Sequence, residues 1–403
     1  MSAVFNYQRL KETRVDYGIS QNQLAVTCGI SRQYLNSIET GRKIPSQSLA
    51  IYLYDTLERF NPDLPLTLLI DYVRIRFPTT NAKKIIEKIL RLKFSYMLNE
   101  EYAFYGYQEQ FVMGDIVVML SNDEEKGVLL ELKGRGCRQF ESFLLAQSRS
   151  WYDFFIDCLA VGGVMKRLDL AINDRTGILD IRELTKKCQN EECISLFRSF
   201  KSYGSGELVR KQEKEGMGET LYIGSVKSEV YFCLYQKDYE QLMKLGIPLE
   251  DAEIKNRFEI RLKNERALFA VRDLIRYRDV ERTAFSIINR YLRFAEKDET
   301  KRRSQWKTNE RWAWFIGKNR QELRLTTEPE PYALERTIRW LGRQVAPTLK
   351  MAQILDKIND TTIIKDIIER AELSKRHKKI IEQQVAGIEN LIVIPNTRED
   401  GCT

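Results

Sequence analysis

The chain has 403 residues, 43% hydrophobic and 30% charged, the composition of a soluble globular protein of two or three domains. No apolar run reaches the roughly 18 residues of a membrane span, and "MSAVFNYQRLKETRVDYG" at the N-terminus has no apolar signal core. A cytoplasmic protein without membrane insertion is therefore expected. The formal charge of +8 is modest, but positive residues bunch in "KRRSQWKTNERWAWFIGKNR" (301–320) and "KRHKK" (375–379), where interleaved aromatics suit nucleic acid.

Seven cysteines form neither a CxxC pair nor an even framework, which argues against disulfides and a structural zinc. The single histidine, His377, lies in the basic C-terminal run and reads as a surface helix residue. Ser-His-Asp, Cys-His and HExxH chemistry are thereby excluded, and any acid–base or metal chemistry falls to carboxylates, tyrosine and lysine.

"GISQNQLAVTCGISRQYLNSIETGRKIPS" (18–46) predicts two helices around a tight turn. Ser20 and Gln23 form a capping-box start, Gly29 supplies the turn, and Ser31 caps the second helix. Leu35 and Ile38 point inward, while Arg32, Gln33 and Asn36 lie at the positions that a helix-turn-helix presents to base edges. These are side chains that pair bidentately with guanine or adenine. With Gln21 they are the expected DNA contacts of a domain spanning 1–62, completed by a helix over 49–60 and a proline-marked linker over 61–65.

The central region, 66–285, mixes strands and helices and predicts an α+β domain with a mostly antiparallel sheet and flanking helices. "LTLLIDYVRIRF" (66–77) reads as a strand, "NAKKIIEKILRLKFSYM" (81–97) as an amphipathic helix, 115–134 as a hairpin and 142–163 as a helix. Three further strand candidates are "VMKRLDLAIND" (164–174), "SEVYFCLYQKD" (228–238) and "NRFEIRLKNE" (256–265). Alternation puts Arg167 and Asp169 opposite Leu168 and Leu170; Glu259, Arg261 and Lys263 opposite Ile260 and Leu262; and Glu131 and Lys133 opposite Leu130 and Leu132. In the same way Tyr231, Cys233, Tyr235 and Lys237 oppose Val230, Phe232 and Leu234. The plain reading is the wet face of a half-exposed sheet. If the strands pair, Asp169, Glu259 and Glu131 converge as an oxygen-rich site for Mg²⁺ or Mn²⁺, with Arg261 on the same face as a DNA contact.

From 286 to 392 the chain reads as a basic helical region, followed by a disordered tail over 393–403. Trp306, Trp312 and Trp314 alternate with Lys and Arg; they suit either stacking on melted bases or a core.

The N-terminal segment resembles the helix-turn-helix of phage-repressor-like regulators through Gln21, Leu24, Ala25, Gly29, Ile30, Ser31, Ile38, Glu39, Gly41, Pro45 and Ser46. "LYIGSVKSEVYFCLYQK" resembles the active-site segment of rolling-circle replication initiators of small Gram-positive plasmids, and "RLDLAIND" and "RFEIRLK" resemble the strands that flank it there. A helix-turn-helix in front of such a domain is similar to the MobT-type relaxases of Gram-positive integrative and conjugative elements. This resemblance implies an enzyme that nicks double-stranded DNA at a transfer origin, strand-specifically, and rejoins the single strand. It implies Tyr235 as nucleophile, Lys237 as its neighbouring cation, and Asp169, Glu259 and Glu131 as carboxylates for a divalent metal ion; Asn173 and Asp174 fall where the plasmid family has an acid pair. Accessory relaxosome proteins and a coupling protein are the implied partners. A plasmid replication initiator and a non-enzymatic DNA-binding regulator are the alternatives. Alternation alone leaves both Tyr231 and Tyr235 as candidates; the resemblance selects Tyr235.

Overall fold

A computed structural model describes residues 6–17, 21, 24, 25, 28, 30–59, 66–204, 218–317, 325–330, 338 and 341–393. The linker 61–65, the Ser20 cap, the Gly29 turn and the tail from 394 lie outside the described residues. Asn6 opens the helix Tyr7–Asp16 by accepting the Arg9 amide, and Ser31 opens Arg32–Glu39 by accepting the Tyr34 amide at 3.1 Å. Together with Gln47–Arg59 these helices enclose Leu10, Leu24, Leu35, Ile38, Leu53 and Leu57. Inside the bundle, Arg14 and Glu39 form a buried ion pair at 2.6 Å. Gly41 follows the helix with φ +71°, and a Cβ there would meet the Tyr7 ring.

Beyond the linker the chain forms strands β1 (Leu66–Phe77), β2 (Leu98–Glu100), β3 (Glu109–Met113), β4 (Ile116–Leu120), β5 (Val128–Lys133) and β6 (Val164–Asp174). They are followed by β7 (Cys193–Ser195), β8 (Phe200–Gly204), β9 (Glu219–Ile223), β10 (Val230–Gln236) and β11 (Asn256–Lys263). All but β7 join one ten-stranded antiparallel sheet in the order β2-β3-β4-β5-β1-β6-β11-β10-β9-β8. Alternation explains its two faces. Leu68, Ile70, Val73 and Ile75 of β1, Leu168 and Leu170 of β6, Phe232 and Leu234 of β10, and Phe258 and Ile260 of β11 form one apolar cluster with side chains of the helices Trp151–Ala160, Ile181–Gln189, Asn264–Tyr277 and Val280–Tyr291. The opposite face of the central strands carries charge and phenols.

A β-bulge in β1 disturbs that alternation. The register with β6 shifts between Ile70 and Tyr72, which leaves Asp71 as the extra residue and turns both Asp71 and Tyr72 toward the charged face. β5 pairs only with Tyr72–Phe77, because the chain turns away at Gly134 into the helix Arg135–Ala146. The Gly134 amide takes the Asp71 carbonyl at 2.7 Å, and the Arg138 side chain takes that of Ile70. Leu325 bridges to Leu68 in parallel, and the Thr326 amide reaches the Leu68 carbonyl at 2.7 Å.

Three expectations change, and one open alternative is decided. The helix over 81–97 is only Ala82–Leu90, π-helical over Ile85–Leu90, with a separate 3₁₀ turn at Phe94–Tyr96; Arg91 turns to φ +53°, and Leu92 pairs with Ile392 instead. The helix over 142–163 is two helices, Arg135–Ala146 and Trp151–Ala160, divided where Ser150 and Asp153 close a capping box. "LRFAE" is not helical: it is β12 (Leu292–Glu296), which lies between β7 and β13 (Lys307–Thr308) in a small second sheet. Trp312 is core, 1% exposed, with its ring 4.9 Å from Phe294 and 5.2 Å from Phe315, and Trp306 is also buried.

The helices Ala346–Asn359 and Ile363–Arg370 expose Met351, Ile354, Ile358 and Ile367 beside their charges. The helix Lys375–Val385, with His377 exposed, returns to the large sheet: Gln383 donates to the Tyr96 and Val112 carbonyls at 2.8 and 3.1 Å. No helix among the described residues is long and apolar enough to cross a membrane.

Candidate active site

The charged face holds a cleft of about 1280 Å³, lined by residues of β1, β6, β9, β10 and β11, by the helix Lys237–Leu245, and by Glu328 and Glu330. Tyr235 stands near the end of β10, directly opposite Arg257 on β11. Its hydroxyl donates to Glu259 Oε1 at 2.9 Å. Burial pushes the phenol well above its ordinary pKa; the Arg257 charge opposes this, while Glu259, Glu240 and Asp71 add to it. Arg257 is buried and gripped, Nε donating to Asn173 Oδ1 at 2.8 Å and Nη1 reaching Asp71 Oδ1 at 3.1 Å. Burial works against its charge, but Asp71, Tyr235 and Glu259 hold the guanidinium above its ordinary pKa.

Lys237 reaches the same place by another route. β10 ends at Gln236, and Lys237 is the first residue of the helix Lys237–Leu245. Its Nζ lies 5.6 Å from the Tyr235 ring centre and is bonded to Glu240. Burial, with Arg257 nearby, lowers its pKa.

Asp169 and Glu259 come together, each clamped by an arginine. Asp169 receives Arg167 at 2.9 and 2.6 Å, and Glu259 receives Arg261 at 2.8 and 2.6 Å. Arg261 also stands 3.9 Å from Asp169. Burial raises the Asp169 carboxyl to about 6, against the lowering by Arg167, and the Glu259 charge adds to the rise. Glu131 does not join them. It accepts from Arg74 at 2.9 and 2.7 Å and pairs with Lys133 at 2.7 Å, with the Tyr72 hydroxyl on the same oxygen as Arg74. Burial opposes its charge, but Lys133, Tyr72 and Arg74 hold its pKa below the ordinary value. Glu131 is not among the residues lining the cleft, whereas Tyr72 and Lys133 are. Among the described residues, no group of three His, Cys, Asp or Glu side chains is placed to hold a metal ion.

The other tyrosines separate by position. Tyr222 on β9 and Tyr239 on the helix Lys237–Leu245 line the cleft; Tyr231 does not, and is buried with Arg261 and Lys263 at 5.7 and 5.2 Å from its ring centre. Asp174 organises a turn, accepting the amides of Thr176, Gly177, Ile178 and Leu179. Asn173 holds Arg257. In the N-terminal bundle Arg32, Gln33 and Asn36 are exposed, and Gln21 donates to Glu39 at 2.8 Å and to Asn36 at 3.2 Å.

Two cleft residues were not singled out from the sequence. Arg257 shares a face with Glu259 in "RFEIRLK", so the alternation that marked Glu259 marks it too. Asp71 carried no such signal, because the core residues before it, Leu68 and Ile70, and those after it, Val73 and Ile75, alternate in opposite phase, and only the bulge between them decides its face.

Known proteins match this architecture in order along the chain. A helix-turn-helix family model covers 10–52, the rolling-circle replication initiation protein N-terminal domain covers 67–157, and the replication initiation factor family covers 163–368. A Bacillus subtilis (strain 168) protein described as "Putative DNA relaxase NicK" is 42% identical over 332 residues, 82% of this chain and 93% of that protein. A rolling circle replication initiator protein from Geobacillus stearothermophilus shares the fold, with a TM-score of 0.56 and 23% identity over 65% of this chain and 99% of that one. The chain belongs to the replication initiation factor family, among the DNA relaxases related to rolling-circle initiators.

Proposed function

We propose that the chain is a site- and strand-specific relaxase that nicks a transfer origin through Tyr235, forms a 5′-phosphotyrosyl DNA and later rejoins the strand, so starting conjugative transfer. The observation that carries this reading is the Tyr235 hydroxyl on the wall of a charged cleft, bonded to Glu259 with Arg257 opposite. A phenol with a raised pKa is a poor nucleophile, so it must lose its proton as the O–P bond forms. Glu259 Oε1 already accepts that hydrogen. As the P–O3′ bond breaks, the departing 3′ oxygen takes up a proton, and Arg257 and Lys237 supply positive charge beside the phosphate. The linkage retains the phosphodiester energy, so rejoining needs no nucleotide.

Asp169 and Glu259 are buried hard-oxygen donors close enough for one charge to raise the other's pKa, a pair that would suit Mg²⁺ or Mn²⁺ retaining several waters if Arg167 and Arg261 each yielded an oxygen. Such an ion would neutralise charge on the scissile phosphate. The surroundings of Glu131 fit a supporting role in place of a ligand: it orients Tyr72, Arg74 and Lys133.

The exposed Arg32, Gln33 and Asn36 suit recognition of duplex DNA at the origin, and Arg261 suits the single strand in the cleft. The similarity to a relaxase over most of both chains favours transfer over plasmid replication. Accessory relaxosome proteins and a coupling protein follow from that same reading.

The test is Tyr235→Phe in a nicking assay on supercoiled origin DNA with Mg²⁺ or Mn²⁺. Loss of nicking and of the covalent adduct is expected. An adduct on another tyrosine would overturn the assignment.

A further inference from the structure

The cleft continues past Tyr222 into a second hollow of about 580 Å³ at the open end of the sheet. Its floor belongs to β8 and β9, and it shares Tyr203, Thr220, Tyr222 and Arg261 with the cleft.

The register ties this hollow to the reaction centre. On β9, Thr220 stands opposite Tyr235 on one side and opposite Tyr203 on the other. Arg257, Tyr235, Thr220 and Tyr203 therefore form one transverse row across four strands. The neighbouring row holds Glu259, Cys233, Tyr222 and Lys201. Side chains in such rows share a face, and strands lie about 4.8 Å apart, so Tyr203 stands roughly 10 Å from the Tyr235 backbone. That is a reach of one or two nucleotides.

The side chains there suit an unpaired nucleotide. The Tyr203 and Tyr222 rings meet edge to face, with centroids 5.8 Å apart at 87°, so a base stacked on one ring would meet the rim of the other. Arg261 lies 6.0 Å from the Tyr222 ring centre. Lys201 and Lys227 line the same hollow. Tyr203 is 58% exposed although it sits on an edge strand, where an exposed ring is a liability unless something covers it. Aromatic faces beside cations, continuous with a nicking cleft, fit a base and its phosphate.

We infer that Tyr203, Tyr222 and Lys201 seat an unpaired nucleotide that flanks the scissile phosphate, an inference that rests on the nicking function proposed above. The seat selects single-stranded over duplex DNA, since a base stacked within a duplex has no free face to offer a ring. It also sets the direction in which the strand crosses the sheet.

Binding is measured on the full chain carrying Tyr235→Phe, with fluorescein-labelled single-stranded dT oligonucleotides and a duplex of equal length as probes. Adding Tyr203→Ala is expected to weaken single-strand binding about tenfold and leave duplex binding unchanged, while Tyr203→Phe retains it. Lys201→Ala is expected to lower the salt slope by about 0.7. Unchanged single-strand binding in Tyr203→Ala, or an equal loss on the duplex, would overturn the seat. Retained nicking by Tyr235→Phe alone would overturn the proposed chemistry while leaving the binding result to stand by itself.

Discussion

Tyr235 and Arg257 stand directly opposite each other on adjacent antiparallel strands, the phenol turned to Glu259 and the guanidinium held by Asn173 and Asp71. Among the groups acting on Tyr235, the Arg257 charge is the one that lowers its pKa. Lys237 is close, but Glu240 engages its ammonium and burial lowers its pKa. Arg257 is therefore the stronger partner for a developing phenolate. In single-turnover cleavage of a single-stranded origin oligonucleotide, Arg257→Ala is expected to lower the rate about 100-fold and Lys237→Ala less than tenfold. Arg257→Lys should fall between them, because it keeps the charge and loses the fork. A larger loss from Lys237→Ala would reverse the assignment.

Asp169 and Glu131 make a paired test of the proposed metal site. Asp169 lies beside Glu259 in the cleft, whereas Glu131 is enclosed by Arg74, Lys133 and Tyr72. Asp169→Asn should raise the Mn²⁺ concentration needed for half-maximal cleavage at least tenfold. Glu131→Gln should leave that concentration unchanged and lower thermal stability, since it frees two cations that shared a buried carboxylate. A shift of metal dependence in Glu131→Gln would restore Glu131 as a ligand.

The face of each central strand could be read from alternation: Asp169, Glu259 and Tyr235 all line the cleft as that pattern requires. What alternation cannot carry is distance between strands. Glu131 shares the chemistry of Asp169, but β5 is separated from β6 by β1, and Arg74 and Lys133 reach it first. Asp71 was hidden for a different reason, because one bulge residue exchanges the faces of β1, and the opposite phases of the apolar residues on either side leave its own face open. The strand β12 was hidden by its length: five residues directly after the helix Val280–Tyr291 continue its apolar spacing, and only pairing with β7 and β13 makes them extended. Arg91 likewise ends a helical pattern early because residues far along the chain, Leu391 and Val393, supply backbone partners.

The helix-turn-helix rests on Glu39, which joins Arg14 to Gln21 in the bundle interior. Glu39→Ala removes the buried carboxylate that pairs with the Arg14 guanidinium and is expected to destabilise the N-terminal bundle by about 3 kcal/mol. Duplex origin binding should fall with it, while cleavage of a single-stranded oligonucleotide persists. Parallel loss of both activities would show that the two parts do not act separately.

Glu141 offers a pH test away from Tyr235. Its carboxylate is buried under the segment 325–330, accepting the Glu328 amide at 2.6 Å and Trp151 Nε1 at 2.9 Å, with Arg138 at 2.9 Å. Burial raises its pKa to about 7 despite Arg138. A carboxyl raised above its unfolded value binds its proton more tightly when folded, so its contribution is complete below about pH 4.5 and is lost as pH rises toward 7. Glu141→Gln holds the group neutral at every pH. The variant should match the parent chain at pH 5 and exceed it at pH 8, by on the order of 2 kcal/mol, in melting experiments at the two values. An equal difference at both would mean that Arg138 keeps Glu141 ionised throughout, and that the segment 325–330 is held by an ion pair insensitive to pH.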